Sequence, residues 1–259
     1  MDPTAAKLAW SKARRIHGWF SVEAGMLLAW FDDMQKRSEI VGDLFEIGVH
    51  HGRSSVFLAS MLNVETEKLG VCDLFGRQSE NVSGSGSGSR AIFDANIAPD
   101  VARGARIDVH ARASSELRAD DIGTRHRLFH IDGGHTAEET LSDLRLAESA
   151  SREDGIVVLD DAINSVWPGV AEGLFRYLWE SQAMRPIAIG FNKLVLANVR
   201  HADRFREQLA NTDARDAYGL GYPWHLKELD VGGVPTTIFY IPTYVATGPL
   251  ARLAHRLHR

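Results

Sequence analysis

An aspartate and a histidine stand three residues apart in the segment IDGGH, which directly follows an apolar run. That run, residues 127–132, is predicted to be a buried strand, and a capping box formed by Thr136 and Glu139 predicts that a helix begins next. Asp132 and His135 therefore lie on a tight turn at the carboxyl end of a strand, where open α/β sheets bind ligands. Because imidazole titrates near neutral pH, His135 could accept a proton from a substrate hydroxyl there.

Two further carboxylates, Asp160 and Asp161, end the next predicted strand in the segment VLDD. Neighbouring parallel strands end at the same edge of a sheet, so both should face Asp132. Three clustered carboxylates raise one another's pKa unless a cation joins them, and these turns contain no lysine or arginine. A divalent ion such as Mg²⁺ fits this set, with water or substrate hydroxyls completing its shell. The alternative is that one or two of these aspartates only cap helices.

A glycine loop, EIGVHHGRSS at residues 46–55, follows a predicted strand and opens a predicted helix. Its glycines would let the backbone approach a ligand, although a packing pair of glycines is an alternative. The spacing is not that of a diphosphate-binding loop. Asp73 ends the second strand, where a carboxylate can bind both hydroxyls of a ribose. Together these features favour an adenosyl ligand without phosphates, and S-adenosylmethionine (SAM) is the obvious candidate.

The pattern of the whole chain predicts an α/β fold with a doubly wound, mostly parallel, seven-stranded sheet. Residues 1–40 are predicted to be helical with a break near Gly18, and residues 41–200 alternate strands with helices. Residues 185–199 are predicted to form two strands joined at the turn GFNK, giving the sheet an antiparallel edge. Residues 201–259 are predicted to be a C-terminal extension of the same single domain.

Composition excludes several classes of protein. The 259 residues carry a formal net charge of −5, which argues against a general nucleic-acid binder. With 44% hydrophobic residues the chain can form a sizeable core. A single cysteine, Cys72, fits a reducing compartment, and no stretch is apolar enough for a signal core or a membrane span. The sequence therefore predicts a cytoplasmic protein without a membrane partner; a homodimer is possible.

With these motifs assembled, residues 40–200 resemble the class I SAM-dependent methyltransferases, which have a Rossmann-like fold. Within that class the chain is most similar to the metal-dependent bacterial sugar O-methyltransferases, of which the macrocin and mycinamicin enzymes are typical. The combination of IDGGH with LDD carries the finer resemblance, whereas the glycine loop indicates only the class. Catechol-type enzymes have lysine at the position of His135 and asparagine at that of Asp161, so both differences point away from a catechol acceptor.

The resemblance implies a role for each motif and a saccharide hydroxyl as the methyl acceptor. His135 would be the general base beside Asp132, and the metal would be held by Asp132, Asp160 and Asp161. Asp73 would hold the ribose of SAM, and Ser114 or Ser115 would contact its adenine. The remaining cofactor-binding residues would be those of the glycine loop, with Glu46 bracing its turn: Glu46, Gly48, Gly52 and Ser54.

The sequence allows more than one interpretation of the function and of several segments. The acceptor could be a phenol or another small molecule, or the chain could be a metal-dependent hydrolase or a non-catalytic binding protein. The segment SGSGSGS at residues 83–89 is either a mobile connection or a lid. Trp224 and Tyr222 could stack on a sugar or close the core, and Trp167 could wall the site. Lys193 is expected to be a solvated turn lysine.

Overall fold

The computed structural model describes residues 1–241, and the predictions for the basic segment 251–259 lie outside the described residues. The strands among residues 1–241 are β1 Asp43–Ile47, β2 Lys68–Cys72, β3 Arg106–His110, β4 His126–Ile131, β5 Ser151–Asp160, β6 Met184–Gly190, β7 Lys193–Asn198, β8 His225–Asp230 and β9 Pro235–Tyr240. The helices are α1 Pro3–Ala13, α2 Val22–Arg37, α3 Arg53–Ala59, α4 Arg90–Ala102, α5 Ala119–Ile122, α6 Ala137–Ala150, α7 Pro168–Glu180, α8 Ala202–Leu209 and α9 Thr212–Tyr218.

All nine of these strands form one sheet, in the order β3-β2-β1-β4-β5-β7-β6-β9-β8. Strands β1 to β5 run parallel, and β7 is antiparallel to both of its neighbours. The order reverses between β1 and β4, so connections on either side of this point cross opposite faces of the sheet. Such a reversal opens a crevice at the carboxyl ends of the strands, where α/β folds bind ligands. The predicted doubly wound, mostly parallel α/β fold is therefore confirmed.

The predicted number of seven strands is wrong, because the C-terminal extension adds to the sheet. Strand β9 pairs with the edge strand β6, and β8 then pairs with β9 as an antiparallel hairpin. Strand β9 has the β-branched and aromatic residues that are typical of a strand, in the segment TTIFY. Strand β8 escaped prediction because it lies at the edge and is mostly exposed, so HLKELD lacks the apolar pattern by which a strand is recognised.

The two N-terminal helices that the sequence predicted are present, and α2 packs against the sheet. Ser21 caps α2, and almost all of that helix is buried. A buried ionic group joins it to the sheet: the guanidinium of Arg127 lies 2.8 Å from a carboxylate oxygen of Asp32 and 2.7 Å from one of Glu67. These partners compensate a charge that would otherwise be costly to bury. Within residues 1–241, no helix combines the length and the apolar character needed to cross a membrane.

The strand register aligns the predicted site residues at one edge of the sheet. Ile47 of β1 pairs with Ile131 of β4, and Ile131 pairs with Leu159 of β5. The residues that follow these three in the chain are Gly48, Asp132 and Asp160, respectively. Their alignment follows from the apolar runs that set the register, and it places the glycine loop and both acidic turns side by side.

Candidate active site

A cavity of about 870 Å³ opens at this edge of the sheet. Most of the predicted site residues line it, and these are Gly48, Asp73, Ser114, Ser115, Asp132, His135, Asp160 and Asp161. Three others, Glu46, Gly52 and Ser54, belong to the glycine loop but do not line the cavity. The structure therefore brings together one continuous site with two parts, one around the glycine loop and one around the carboxylates.

Two positions of the glycine loop have a backbone conformation and a close contact that only glycine accommodates well. Gly48 has φ +80°, and a Cβ at that position would collide with the carbonyl oxygen of Asp132. Gly52 has φ +88° at the start of α3, where a Cβ would lie 2.9 Å from the ring of Phe93. The absence of side chains thus lets the loop after β1 press against the turn after β4. The buried carboxylate of Glu46 accepts a hydrogen bond from the Ser55 hydroxyl and so braces the loop.

Asp73 binds the glycine loop as well as lining the cavity. One carboxylate oxygen accepts hydrogen bonds of 2.8 Å from the backbone N–H groups of Val49 and His50. The other accepts one of 2.6 Å from Phe75. The carboxylate is therefore fixed at the end of β2, at the position from which a ribose could be bound. Its contact with ribose remains a prediction.

Asp143 of α6 is a cavity residue that the sequence analysis missed. Its side chain is buried, and neither carboxylate oxygen has a hydrogen-bond partner of good geometry in the described part of the chain. Burial raises the pKa of Asp143 to about 7, against a smaller lowering effect of the Ser114 hydroxyl. An unpaired acid next to the predicted adenine contacts is available for a ligand. Its position in the middle of an amphipathic helix pattern gave no signal for this role.

Replacing Asp143 with asparagine is expected to stabilise the protein at pH 8. The raised pKa means that the folded chain binds more protons than the unfolded chain between about pH 4 and 7. The stability of the wild type should therefore fall as the pH rises through this range, and the variant should lack that slope. Since a buried unpaired amide also has a cost, we expect a gain of roughly 1–3 kcal/mol at pH 8. Urea unfolding at pH 4.5 and pH 8 measures both effects; equal slopes would contradict the assignment.

The acidic part of the site contains a cation that the sequence analysis did not expect there. Lys193 is buried, and its ammonium donates a hydrogen bond to Asp160 and lies 5.4 Å from the ring centroid of Phe20. The prediction of a solvated turn lysine is therefore wrong. Antiparallel pairing of β7 with β5 places Lys193 directly opposite Asp160, which explains why the turn GFNK delivers its lysine into the site.

The charges of this cluster are strongly interdependent. Burial, reinforced by Asp160, raises the pKa of Asp132 well above its usual range. Burial alone would lower the pKa of Lys193, but Asp160 and Asp132 outweigh it and raise that pKa, so the ammonium stays charged. One lysine thus compensates part of the charge of three carboxylates.

His135 is held between Asp161 and the Gly/Ser segment. Its Nε2 lies 3.1 Å from a carboxylate oxygen of Asp161, and its Nδ1 lies 3.0 Å from the hydroxyl of Ser85. Burial would raise the pKa of Asp161, but hydrogen bonds from His135 and two asparagines outweigh it and lower that pKa to about 2. An ionised Asp161 therefore faces Nε2. This favours the tautomer in which Nε2 carries the proton and Nδ1 can accept one.

Aromatic side chains wall the cavity around His135. The ring of Trp167 stacks on His135 with 4.3 Å between centroids, which confirms its predicted position. Trp19, between α1 and α2, also lines the cavity while 72% exposed. Trp224 is buried against Phe191, so it closes the core instead of contacting a ligand. The segment 83–89 also contributes to the cavity wall.

Comparison with known proteins shows similarity to methyltransferases in sequence and in fold. Residues 45–162 match a family model described as a methyltransferase domain. The fold is similar to that of the O-methyltransferase NovP, with 15% identity, a TM-score of 0.57, and coverage of 67% of this chain and 78% of NovP. A cofactor-bound protein from MTB, Rv0187, is 17% identical with a TM-score of 0.53, and the match covers 77% of this chain and 91% of that one.

Another similar structure is a putative O-methyltransferase from Klebsiella pneumoniae, with 16% identity, a TM-score of 0.50 and coverage of 77% and 90% of the two chains. At these identities the structures establish the fold. A comparison with curated proteins found no match. The matched segment 45–162 runs from β1 to just beyond β5 and so contains the whole parallel half of the sheet.

The fold, the cavity and the matched family together define a class I methyltransferase domain, as the motifs predicted. Residues 45–162 thus match a methyltransferase domain, and the described residues have the fold of the SAM-dependent methyltransferases.

Proposed function

We propose that this protein is a SAM- and divalent-metal-dependent O-methyltransferase that acts on a saccharide hydroxyl. The observation that carries the proposal is the pairing of His135 with Asp161 at the edge of the carboxylate cluster, facing the cavity. A base of this kind is suited to an acceptor that must lose a proton as it is methylated. An alkyl hydroxyl is such an acceptor.

The contact between His135 and Ser85 indicates how a substrate would be oriented. The Ser85 hydroxyl lies 3.0 Å from Nδ1, which is the nitrogen left free when Asp161 faces Nε2. A substrate hydroxyl that took the place of Ser85 would donate its hydrogen bond to the same nitrogen. In the reaction a bond forms between that oxygen and the methyl carbon of SAM while the carbon–sulfur bond breaks. The proton passes to Nδ1 of His135, and S-adenosylhomocysteine leaves uncharged.

The acidic cluster fits a hard divalent cation. Ligand atoms of Asp132, His135 and Asp161 lie within 4.8 Å of one another, and those of Asp132, Asp160 and His130 form a second such group. When all three carboxylates are ionised, as metal binding requires, they and the one lysine carry a formal charge of −2, which matches a divalent ion. Carboxylate oxygens are the ligands that Mg²⁺ prefers, so Asp132, Asp160 and Asp161 would hold it. A bound Mg²⁺ would lower the pKa of a coordinated hydroxyl.

The walls of the cavity fit a saccharide better than a flat phenol. Trp19 and Trp167 offer aromatic faces, and side-chain amides of Asn81, Asn164 and Asn192 also line the space. Aromatic faces stack on the apolar face of a sugar ring, and amides can both donate to and accept from hydroxyls. A phenol slot would need continuous apolar walls beside the metal, whereas the side chains of Asn164 and Asn192 interrupt the walls next to the acidic cluster.

The first experiment is a calorimetric titration of S-adenosylhomocysteine into EDTA-treated protein, repeated with Mg²⁺. We expect micromolar binding, about −8 kcal/mol, in both conditions, because the cofactor part of the cavity does not include the acidic cluster. Transfer of labelled methyl groups is then measured on a panel of nucleotide sugars and glycosides, with catechols as the comparison. We expect transfer to a sugar that EDTA abolishes and Mg²⁺ restores.

Each result of these measurements bears on a different part of the proposal. Absence of S-adenosylhomocysteine binding would contradict the use of SAM. Transfer that continues in EDTA would contradict the metal requirement. Transfer to catechols alone would contradict the saccharide acceptor.

A further inference from the structure

Three histidines that the proposed reaction does not use lie together at the rim of the cavity. His17 belongs to the connection between α1 and α2, and His50 and His51 lie in the glycine loop. The ring centroids of His50 and His51 are 3.8 Å apart, and His17 lies 5.5 Å and 5.9 Å from them. One nitrogen of each ring falls within 4.8 Å of a nitrogen of the other two.

The backbone directs two consecutive histidines to the same side. His50 has φ +51°, a left-handed conformation that is uncommon for a residue with a side chain. Consecutive side chains in extended backbone point in opposite directions, whereas here the two rings lie against each other. The backbone N–H of His50 donates to Asp73, which fixes this conformation. Two imidazoles are thus held side by side by the loop itself, and the third comes from another element.

One ring nitrogen of the cluster lacks a hydrogen-bond partner in the described part of the chain and could bind a ligand instead. The Nδ1 of His50 is shielded from solvent and has no hydrogen-bond partner among the described residues. A neutral imidazole with a free nitrogen is the form that binds transition metals.

We propose that His17, His50 and His51 form a second metal site, which takes a transition-metal ion such as Zn²⁺. Three histidines with one open position are an established zinc ligand set, with Zn–N distances of about 2.0–2.1 Å. Tetrahedral binding places the nitrogens roughly 3.4 Å apart, and here they already lie within 4.8 Å of one another. The ion would join the N-terminal helical segment to the glycine loop and so fix one rim of the cofactor cavity. The site is distinct from the acidic cluster, whose oxygen ligands select Mg²⁺.

The test is a calorimetric titration of Zn²⁺ into the tag-free full chain, with millimolar Mg²⁺ present to occupy the acidic cluster. We expect one saturable high-affinity site. The variants His17→Ala and His51→Gln should each bind Zn²⁺ at least tenfold more weakly, whereas His225→Ala, on the distant edge strand β8, should bind it like the wild type. His17 lies in an exposed connection, so its variant should fold normally, which its melting temperature without metal verifies.

Thermal unfolding provides a second readout that needs neither SAM nor an acceptor. Zn²⁺ should raise the melting temperature of the wild type and of His225→Ala but not that of His17→Ala, because an ion that binds only the folded chain stabilises it. Absence of saturable Zn²⁺ binding, or equal affinity in the wild type and His17→Ala, would overturn the second metal site. Neither result would affect the proposed methyl transfer, which is measured separately.

Discussion

Replacing Asp132 with asparagine is expected to abolish methyl transfer and at the same time to raise the melting temperature. Burial and the neighbouring Asp160 raise the pKa of Asp132 well above its usual range. Keeping Asp132 ionised therefore lowers the free energy of unfolding. Asparagine has nearly the same shape, and it removes this destabilising effect. Loss of roughly 3 kcal/mol of transition-state stabilisation lowers kcat about 100-fold, and we expect at least this effect.

The opposite signs of the two effects separate a functional role from a structural one. Affinity for S-adenosylhomocysteine should change less than about threefold, under 1 kcal/mol, because the backbone contacts of the turn are retained. Asp94→Asn, on the exposed face of α4, is the matched control and should alter neither kcat nor stability. Turnover is measured with the acceptor found in the screen, and stability by calorimetry. An Asp132→Asn enzyme with normal turnover, or one that unfolds more easily, would contradict the role of Asp132.

The sequence allowed the catalytic edge of the sheet to be predicted because its signals are local. A buried run ends at Asp132, another ends at Asp160, and a capping box starts the helix between them, which the structure confirms at Thr136 and Glu139. Once the strands are parallel neighbours, these turns must meet. The same reasoning placed Gly48 against the site, since the register of β1 with β4 leaves no other position for it.

The features that escaped prediction depend on contacts between distant parts of the chain. Lys193 enters the acidic cluster because β7 runs antiparallel to β5, and its own segment resembles an ordinary turn. Ser85 contacts His135 although 50 residues separate them. Helix α4 begins at Arg90, directly after the Gly/Ser segment, and the flexible composition of that segment concealed its start. Local propensity carries no information about such pairings, which tertiary packing decides.

The presence of Lys193 changes what the acidic cluster requires. Without the lysine, only protonation or a bound cation could reduce the mutual repulsion of the three carboxylates. With it, the cluster keeps a resident positive charge, so the cofactor part of the cavity can form before any Mg²⁺ binds. The lysine therefore accounts for the expectation that S-adenosylhomocysteine binds in the presence of EDTA.

Replacing Lys193 with methionine is expected to destabilise the protein by about 3–5 kcal/mol at pH 8 in EDTA, the usual cost of removing one partner of a buried ion pair. Methionine retains the length and apolar stem, so loss of charge dominates. The defect should shrink at pH 5, because protonation removes the uncompensated charge, first at Asp132, whose pKa is raised. Mg²⁺ should raise the melting temperature of the variant more than that of the wild type, since it supplies the missing positive charge.

The matched control for this variant is Lys68→Met at a surface ion pair. Lys68 lies 2.6 Å from Asp108, and both side chains are partly exposed, so its loss should cost at most about 1 kcal/mol. Urea unfolding of both variants at two pH values, with and without Mg²⁺, measures the difference. The double variant Lys193→Met with Asp160→Asn should regain part of the lost stability, because it removes the charge that Lys193 had compensated. If Lys193→Met were as stable as the control at pH 8 in EDTA, the lysine would not be the resident counter-ion of the cluster.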